Sequence, residues 1–377
     1  MQIRFLVLLL LSFPGLLAGC TPRPDGDVLV PAAYVQGARV VSLHTVTDRG
    51  TVLQERPGGP ARSFTDARAA TLSAARFSVS IPPTHAPGAI EWPGRRPDPA
   101  TDMAVTARRD MPLATLVEEI AQGPGRADVR VFVHGYNTSF QEGLFRLAQI
   151  THDSGSEGAA ILFAWPSNAT VTGYAADREA ATYARDHLAG LLVLLARDRR
   201  IGQVSVLGHS MGSWLVMEAL RQLRMGGDDA TLGRLQVVLA APDIDVDVFR
   251  AQLDVVGRLT PPLTVLVAPD DRALRISARL NAGRQRVGAL DVGDPRMAAA
   301  AKAAGVTVID ITDLQSPDAQ NHGRYAVLAA MYSGMRRRPG EAITDAGAFV
   351  LERTGAAVAS PFILIAEGLQ AGQGGAR

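Results

Sequence analysis

The chain has 377 residues, 47% of them hydrophobic and 20% charged. That composition is globular and excludes a fully disordered chain, and the length allows one large domain or two ordinary ones. Basic and acidic residues balance, 38 Lys+Arg against 37 Asp+Glu, so no bulk basic surface argues for nucleic acid as a partner.

In chain order, residues 1–4 form a short positive start. Residues 5–17 are apolar apart from Ser12, Pro14 and Gly15, and Leu17-Ala18-Gly19-Cys20 follows. Charged start, apolar middle and small residues at a cut are the parts of a secretory signal. The apolar run of about 13 residues is short of the roughly 20 that span a bilayer as a helix. Cys20 is the only cysteine, which excludes an intramolecular disulfide. Leu-Ala-Gly-Cys resembles a bacterial lipobox. The resemblance implies that residues 1–19 are a signal peptide, that cleavage precedes Cys20, and that the Cys20 thiol carries a palmitate-type acyl anchor to the membrane. The plainer alternative is a signal peptide with an unrelated cysteine. Thr21 stands where sorting signals for the inner membrane have Asp, and that resemblance implies the outer membrane, facing the periplasm. Residues 20–37 carry Pro22, Pro24, Gly26, Pro31 and Gly37 and read as a tether.

Residues 38–335 read as the folded domain. A first strand is expected at 39–45, a loop rich in Gly, Pro, Arg and Ser at 49–70, and a period-2 strand at 76–81. Residues 82–112 hold seven prolines and read as a long ordered loop or lid. A helix at 113–122 starts behind Pro112. A regular rhythm then sets in. Strands are expected at 129–133, 159–164, 203–207, 235–240, 263–267 and 306–311. Helices are expected at 139–152, 175–198, 211–224, 272–280 and 323–335. Short apolar runs alternating with helices imply crossover connections and a mostly parallel sheet. With the N-terminal strands the sheet has about eight strands flanked by helices. Residues 336–377 read as a looser tail, with a helix possible at 357–369.

Gly208-His209-Ser210-Met211-Gly212 matches G-x-S-x-G between a strand and a helix, the setting of a nucleophile elbow. The glycines answer a steric need, because a side chain at either position would clash with the neighbouring strand or helix. A serine hydroxyl needs a base in reach, and the base needs an orienting acid. In this type of fold both follow the serine in the chain. His322 is the only histidine after His209 and is the candidate base. Three acids compete: Asp271 behind the strand at 263–267, its neighbour Asp270, and Asp243 behind the strand at 235–240. Either Asp270 or Asp271 could simply cap the helix that follows. The oxyanion donors expected are the backbone N–H of Met211 and of Tyr136, the latter in His134-Gly135-Tyr136-Asn137. His134 is expected to hold that loop rather than to react. His85 has no matching acid at a motif position. Trp165 reads either as lining an acyl pocket or as core.

These pieces resemble the alpha/beta-hydrolase superfamily, and within it a bacterial group of esterase/lipase-like proteins. The shared stretches are SIPPTHAPGAIEWP from Ser80, VFVHGYNTSF from Val131, FAWPS from Phe163, LGHSMG from Leu207, APDID from Ala241 and DRAL from Asp271. The resemblance implies an alpha/beta-hydrolase fold, a Ser210–Asp271–His322 triad and a carboxylesterase or lipase-like activity on a small-molecule or lipid ester. The 22 residues at 241–262 leave room for one helix, so no large cap domain is expected. No HExxH or Cys pair suggests a metal, and no dinucleotide fingerprint suggests a cofactor. The other readings compatible with the sequence are an acyltransferase on the same fold and a non-catalytic envelope-binding lipoprotein. Oligomeric state is not legible.

Overall fold

The computed structural model of the chain describes residues 23–55, 61–123 and 127–335. Residues 1–19, Cys20 and the tail at 336–377 lie outside the described residues. The elements run β1 (Arg39–Gln54), β2 (Ala61–Ile81), β3 (Ala104–Met111), α1 (Leu113–Ala121), β4 (Val129–Val133), α2 (Phe140–Ser154), β5 (Ala159–Ala164), α3 (Tyr174–Arg197), β6 (Val204–His209) and α4 (Met211–Met225). The short α5 (Asp229–Leu232) follows, then β7 (Leu235–Ala240), α6 (Val246–Val256), β8 (Leu263–Val267), α7 (Arg272–Leu280), α8 (Pro295–Ala304), β9 (Val306–Asp310) and α9 (Arg324–Met335).

One sheet collects nine described strands in the order β3-β2-β1-β5-β4-β6-β7-β8-β9. From β1 through β9 every neighbouring pair is parallel, and only the β1–β2 and β2–β3 pairs are antiparallel. The parallel strands are apolar runs because both faces are covered. Their period of two sorts the side chains. Val129, Val131 and Val133 of β4, Ile161 and Phe163 of β5, and Val265 and Val267 of β8 join the cluster under α1, α3, α4 and α6. Phe132, Leu162 and Leu266 join the opposite cluster, under α2 and α9. Burying one such Val, Leu or Phe stabilises the fold by about 1.5–3 kcal/mol.

Helix ends follow local chemistry. Ser139 caps α2 and closes a capping box with Glu142, and Gly155 ends that helix in the left-handed region at φ 54°, as the two terminus rules require. Between β7 and β8 stands only α6, so there is no large cap domain in the usual insertion point.

Three expectations need correction. Residues 49–54 and 61–70 are not loop: β1 and β2 pair through them, with Thr51 opposite Phe64 and Gln54 opposite Ala61. The polar residues that suggested a loop are mostly exposed strand positions. Residues 82–112 are not all loop either. They contain β3, an edge strand, which raises the number of strands from about eight to nine. The remaining loop packs on α2 and α9: Gln149 Nε2 donates to the Glu91 carbonyl at 2.6 Å and the Arg146 guanidinium lies 5.1 Å from the Trp92 ring. Finally, residues 23–37 do not hang as a tether. Val28 and Leu29 are buried, and Ala32 N–H bonds to the Val105 carbonyl at 2.7 Å. Two adjacent apolar side chains are enough to hold such a segment against an edge strand.

Candidate active site

Ser210 sits between β6 and α4 with φ 54° and ψ −122°. A non-glycine residue in that region costs on the order of 1–3 kcal/mol and persists only where its surroundings over-determine it. Here they do. A Cβ on Gly208 would lie 2.8 Å from Ser213 Cα, and one on Gly212 would run into the carbonyl oxygens of Val133 and His134. The turn is therefore pressed between its own helix and β4, and the Ser210 side chain leaves it at the N-terminus of α4. Ser210 N–H is tied to the Ala240 carbonyl of β7 at 3.0 Å.

His322 and the three candidate acids fall in the loops behind β9, β8 and β7. His322 Nδ1 bonds Asp271 Oδ2 at 2.7 Å. Asp271 is fully buried and also caps α7, accepting Leu274 N–H at 2.9 Å. Burial disfavours a charged His322, but the charge and hydrogen bond of Asp271, with Asp318 and Asp243 behind it, outweigh that and raise its pKa above 6.5. The rival acids have other partners. Asp270 is gripped by the Arg324 guanidinium at 2.6 and 2.7 Å. Asp243 accepts from Ser277 Oγ at 2.6 Å and Tyr174 OH at 3.1 Å and pairs with Arg286 at 3.3 Å. The His322 loop is shaped by Asp318, whose carboxylate takes the N–H groups of Gln320, His322 and Gly323.

His209, the neighbour of Ser210, joins the two halves. Its Nε2 lies 3.3 Å from the His322 carbonyl, and the two rings are 4.6 Å apart. Burial first, then the charge of His322, holds the His209 pKa well below 6.5, so His209 is a neutral donor from Nε2–H.

The loop behind β4 completes the site. A Cβ on Gly135 would stand 2.9 Å from Ser210 Cβ, so glycine lets this backbone approach the serine. The N–H groups of Asn137 and Thr138 go to Asp177 and Ser167 at 3.0 and 3.1 Å. Among the described residues none accepts from the N–H of Tyr136 or of Met211, the two expected oxyanion donors. His134 is buried and bonds the Gly135 carbonyl through Nδ1 at 2.9 Å, with its ring stacked on Trp165. Burial, reinforced by nearby Arg49, lowers its pKa to about 3. It is a neutral brace. Trp165 is core, fully buried, and donates to the His134 carbonyl at 2.8 Å.

Several supporting residues have no sequence signature. Asp177, buried in the first turn of α3, accepts from Asn137 N–H, Ser167 Oγ at 2.6 Å and Asn168 N–H at 2.5 Å. It reads from sequence as an ordinary acid at a helix start. Arg49, on the misread part of β1, donates to the carbonyls of Thr138 and Ser167 at 2.8 and 3.0 Å, and burial lowers its pKa to about 10.

His85 is elsewhere. It bonds Glu91 and Asp153, and Asp153 also holds Gly88 N–H at 2.8 Å. A cavity of about 400 Å³ also lies apart from Ser210, between α6, α8 and strands β8 and β9, lined by Phe249, Leu253, Val265, Met297 and Val306. Among the described residues no group of three His, Cys, Asp or Glu could hold a metal ion, and no helix is long and apolar enough to cross a membrane.

No curated protein matches the chain. Among solved structures it is similar to a protein of Agrobacterium vitis S4 designated a hydrolase, at 14% identity over 75% of this chain and 99% of that one, TM-score 0.30. It is also similar to a fungal esterase from Rhizomucor miehei, at 11% identity over 80% and 86%, TM-score 0.31. A third is carboxyl esterase 2 of the mycorrhizal fungus Tuber melanosporum, at 10% identity over 76% and 86%, TM-score 0.28. Residues 114–338, which run from α1 past α9 and include Ser210, Asp271 and His322, match the model of a family described as alpha/beta hydrolase of unknown function (DUF900), and the chain belongs to that family.

Proposed function

We propose that the chain is a lipid-anchored serine hydrolase that cleaves carboxylic esters through an acyl-enzyme on Ser210. The observation that carries this reading is the 2.7 Å bond from His322 Nδ1 to the buried Asp271. It fixes the imidazole with the proton on Nδ1 and leaves Nε2 as the basic atom. In the reaction Ser210 Oγ attacks the ester carbonyl carbon while Nε2 takes the hydroxyl proton. The negative oxygen of the tetrahedral intermediate is met by the N–H groups of Met211 and Tyr136, at the positive end of α4. Collapse breaks the bond to the alkoxy oxygen, which leaves as the alcohol with the Nε2 proton. Water, deprotonated by the same nitrogen, then attacks the acyl-enzyme, releases the carboxylic acid and restores Ser210. Asp271 stays ionised and stabilises the imidazolium between these transfers.

The anchor is the Cys20 thiol, and the expected location is the periplasmic side of the outer membrane. A fluorophosphonate probe tests the nucleophile. Wild type should label on Ser210, Ser210→Ala should not label, and a panel of aryl esters of graded acyl length should be turned over by wild type only. Labelling of a different serine, or ester turnover that survives in Ser210→Ala, rules the mechanism out.

A further inference from the structure

We propose that the N-terminal segment docks the mouth of the site onto the bilayer that holds the Cys20 acyl anchor, so that the substrate is an amphiphilic ester drawn from that bilayer. The proposal rests on the reading of the chain as a lipid-anchored serine hydrolase and adds its orientation and substrate class.

The determining residue is Arg23. Its guanidinium forks onto the Glu142 carboxylate at 2.7 and 2.5 Å, and donates to Asn137 O at 2.6 Å, Asn137 Oδ1 at 2.9 Å and the Ala169 carbonyl at 2.7 Å. Paired charged hydrogen bonds of this kind fix direction as well as position. Asn137 follows Tyr136 and is two residues from Gly135, whose approach to Ser210 was described above. Arg23 is thus fastened to the rim of the site itself. Past it, Val28 and Leu29 are buried, and the backbone of Ala32 bonds to β3.

This changes the leash. A free tether over 20–37 would have a root-mean-square reach of about 20–25 Å and would let the domain tumble. With Arg23 docked, only the three peptide units from Cys20 to Arg23 separate anchor and rim, which is at most about 10 Å of chain. The same rim carries an apolar contact. Val171 is 77% exposed, and its carbonyl accepts from Tyr136 OH. An anchor this close, beside an exposed valine, holds the Tyr136 side of the site toward the lipid. Esters in that bilayer then meet Ser210 at a raised effective concentration.

The test uses the full acylated chain in vesicles of phosphatidylethanolamine and phosphatidylglycerol that contain a nitroxide-labelled lipid. With Cys20 acylated, Val171→Cys supplies one reactive thiol for a dye at the rim. Arg199→Cys supplies one at an exposed position before β6, at the opposite end of the strands. The dye at Val171→Cys should be strongly quenched and that at Arg199→Cys unquenched. Equal quenching at the two positions overturns the orientation, as does an N-terminal peptide without acyl mass on Cys20. In a second measurement about 20 Gly/Ser residues are inserted between Thr21 and Pro22, leaving Arg23 in place. Turnover of a long-chain ester carried in the vesicles should fall about ten-fold, with a dissolved short-chain aryl ester unaffected. Undiminished turnover of the vesicle-borne ester by the lengthened chain overturns the substrate assignment. Failure of the serine-hydrolase reading would register separately, as absent labelling of Ser210, since quenching does not depend on chemistry.

Discussion

His322 and His85 are each bonded to a buried carboxylate, His322 through one ring nitrogen, while the second ring nitrogen of His85 is bonded to the part-exposed Glu91. Asp271 takes Nδ1 of His322 at 2.7 Å, and no carboxylate among the described residues pairs with its Nε2. Glu91 takes Nδ1 of His85 at 2.5 Å and Asp153 takes Nε2 at 2.8 Å. Burial opposes charge on His85, but the two acids outweigh it and raise its pKa to about 9. Near neutral pH His85 is therefore an imidazolium with both N–H groups committed, and it straps the loop after β2 to the end of α2. The difference teaches that a carboxylate partner alone does not make a general base. One nitrogen must be oriented and the other left open and unprotonated.

The largest expected effect would break the comparison if it failed. His322→Ala should lower kcat by about 10⁴–10⁶, because nucleophile and base act as a unit, with little change in melting temperature. His85→Ala should leave kcat within a few-fold and lower the melting temperature. Steady-state kinetics beside thermal unfolding reads both. A folded His322→Ala enzyme with near wild-type kcat would remove the base from the mechanism.

A smaller effect separates the acids. Asp271→Asn should lower kcat by about 10³–10⁴ by allowing the wrong tautomer. Asp243→Asn should act mainly on stability. It leaves buried Arg286 without its counter-charge, which costs on the order of 3–5 kcal/mol. An inactive but stable Asp243→Asn beside an active Asp271→Asn would move the acid to the loop after β7.

The smallest effects are in pH. The folded-state pKa of His85 is raised, so its stabilisation is fully present below 6.5 and disappears as pH climbs through about 9. A rise of that size corresponds to on the order of 3 kcal/mol. The destabilisation of His85→Phe, read by urea unfolding, should therefore be large at pH 6 and shrink toward alkaline pH. His322 must be neutral to accept a proton, and its pKa is also raised. The acid limb of kcat/KM should then lie above the ordinary histidine value of about 6.5. The same limb should appear in His85→Phe. A limb that moves with His85 would tie that residue to the chemistry.

Sequence reading works best where one physical demand dominates. The strands at 129–133, 159–164, 235–240 and 263–267 end where expected, because burial on both faces makes these runs mostly apolar. The elbow was legible because the Ser210 turn tolerates only glycine at two contact points. The residues alone left Asp271, Asp270 and Asp243 open as partners of His322 and only the resemblance pointed to Asp271, while the pairing of Asp270 and Asp243 with arginines was not legible. Neighbouring aspartates have the same composition, and only the placement of Arg324 and Arg286 separates them. Arg49, Asp177 and Arg23 hold the Tyr136 loop through backbone carbonyls and N–H groups. Those partners leave no residue-type pattern, since any sequence has the same backbone.

His322 follows a strand at the margin of the described sheet. β9 is the last strand of the sheet among the described residues, four of its five residues are only half-buried, and α8 before it has no buried residue. The serine rests on β6, in the middle. Stability is unevenly distributed in such a structure, and edge units open at lower free energy than the centre. Under mild denaturant the amides of β9 should exchange with solvent well before those of β6. Catalysis would then be lost by local opening of one margin, with the remaining sheet intact and the loss reversible on dilution.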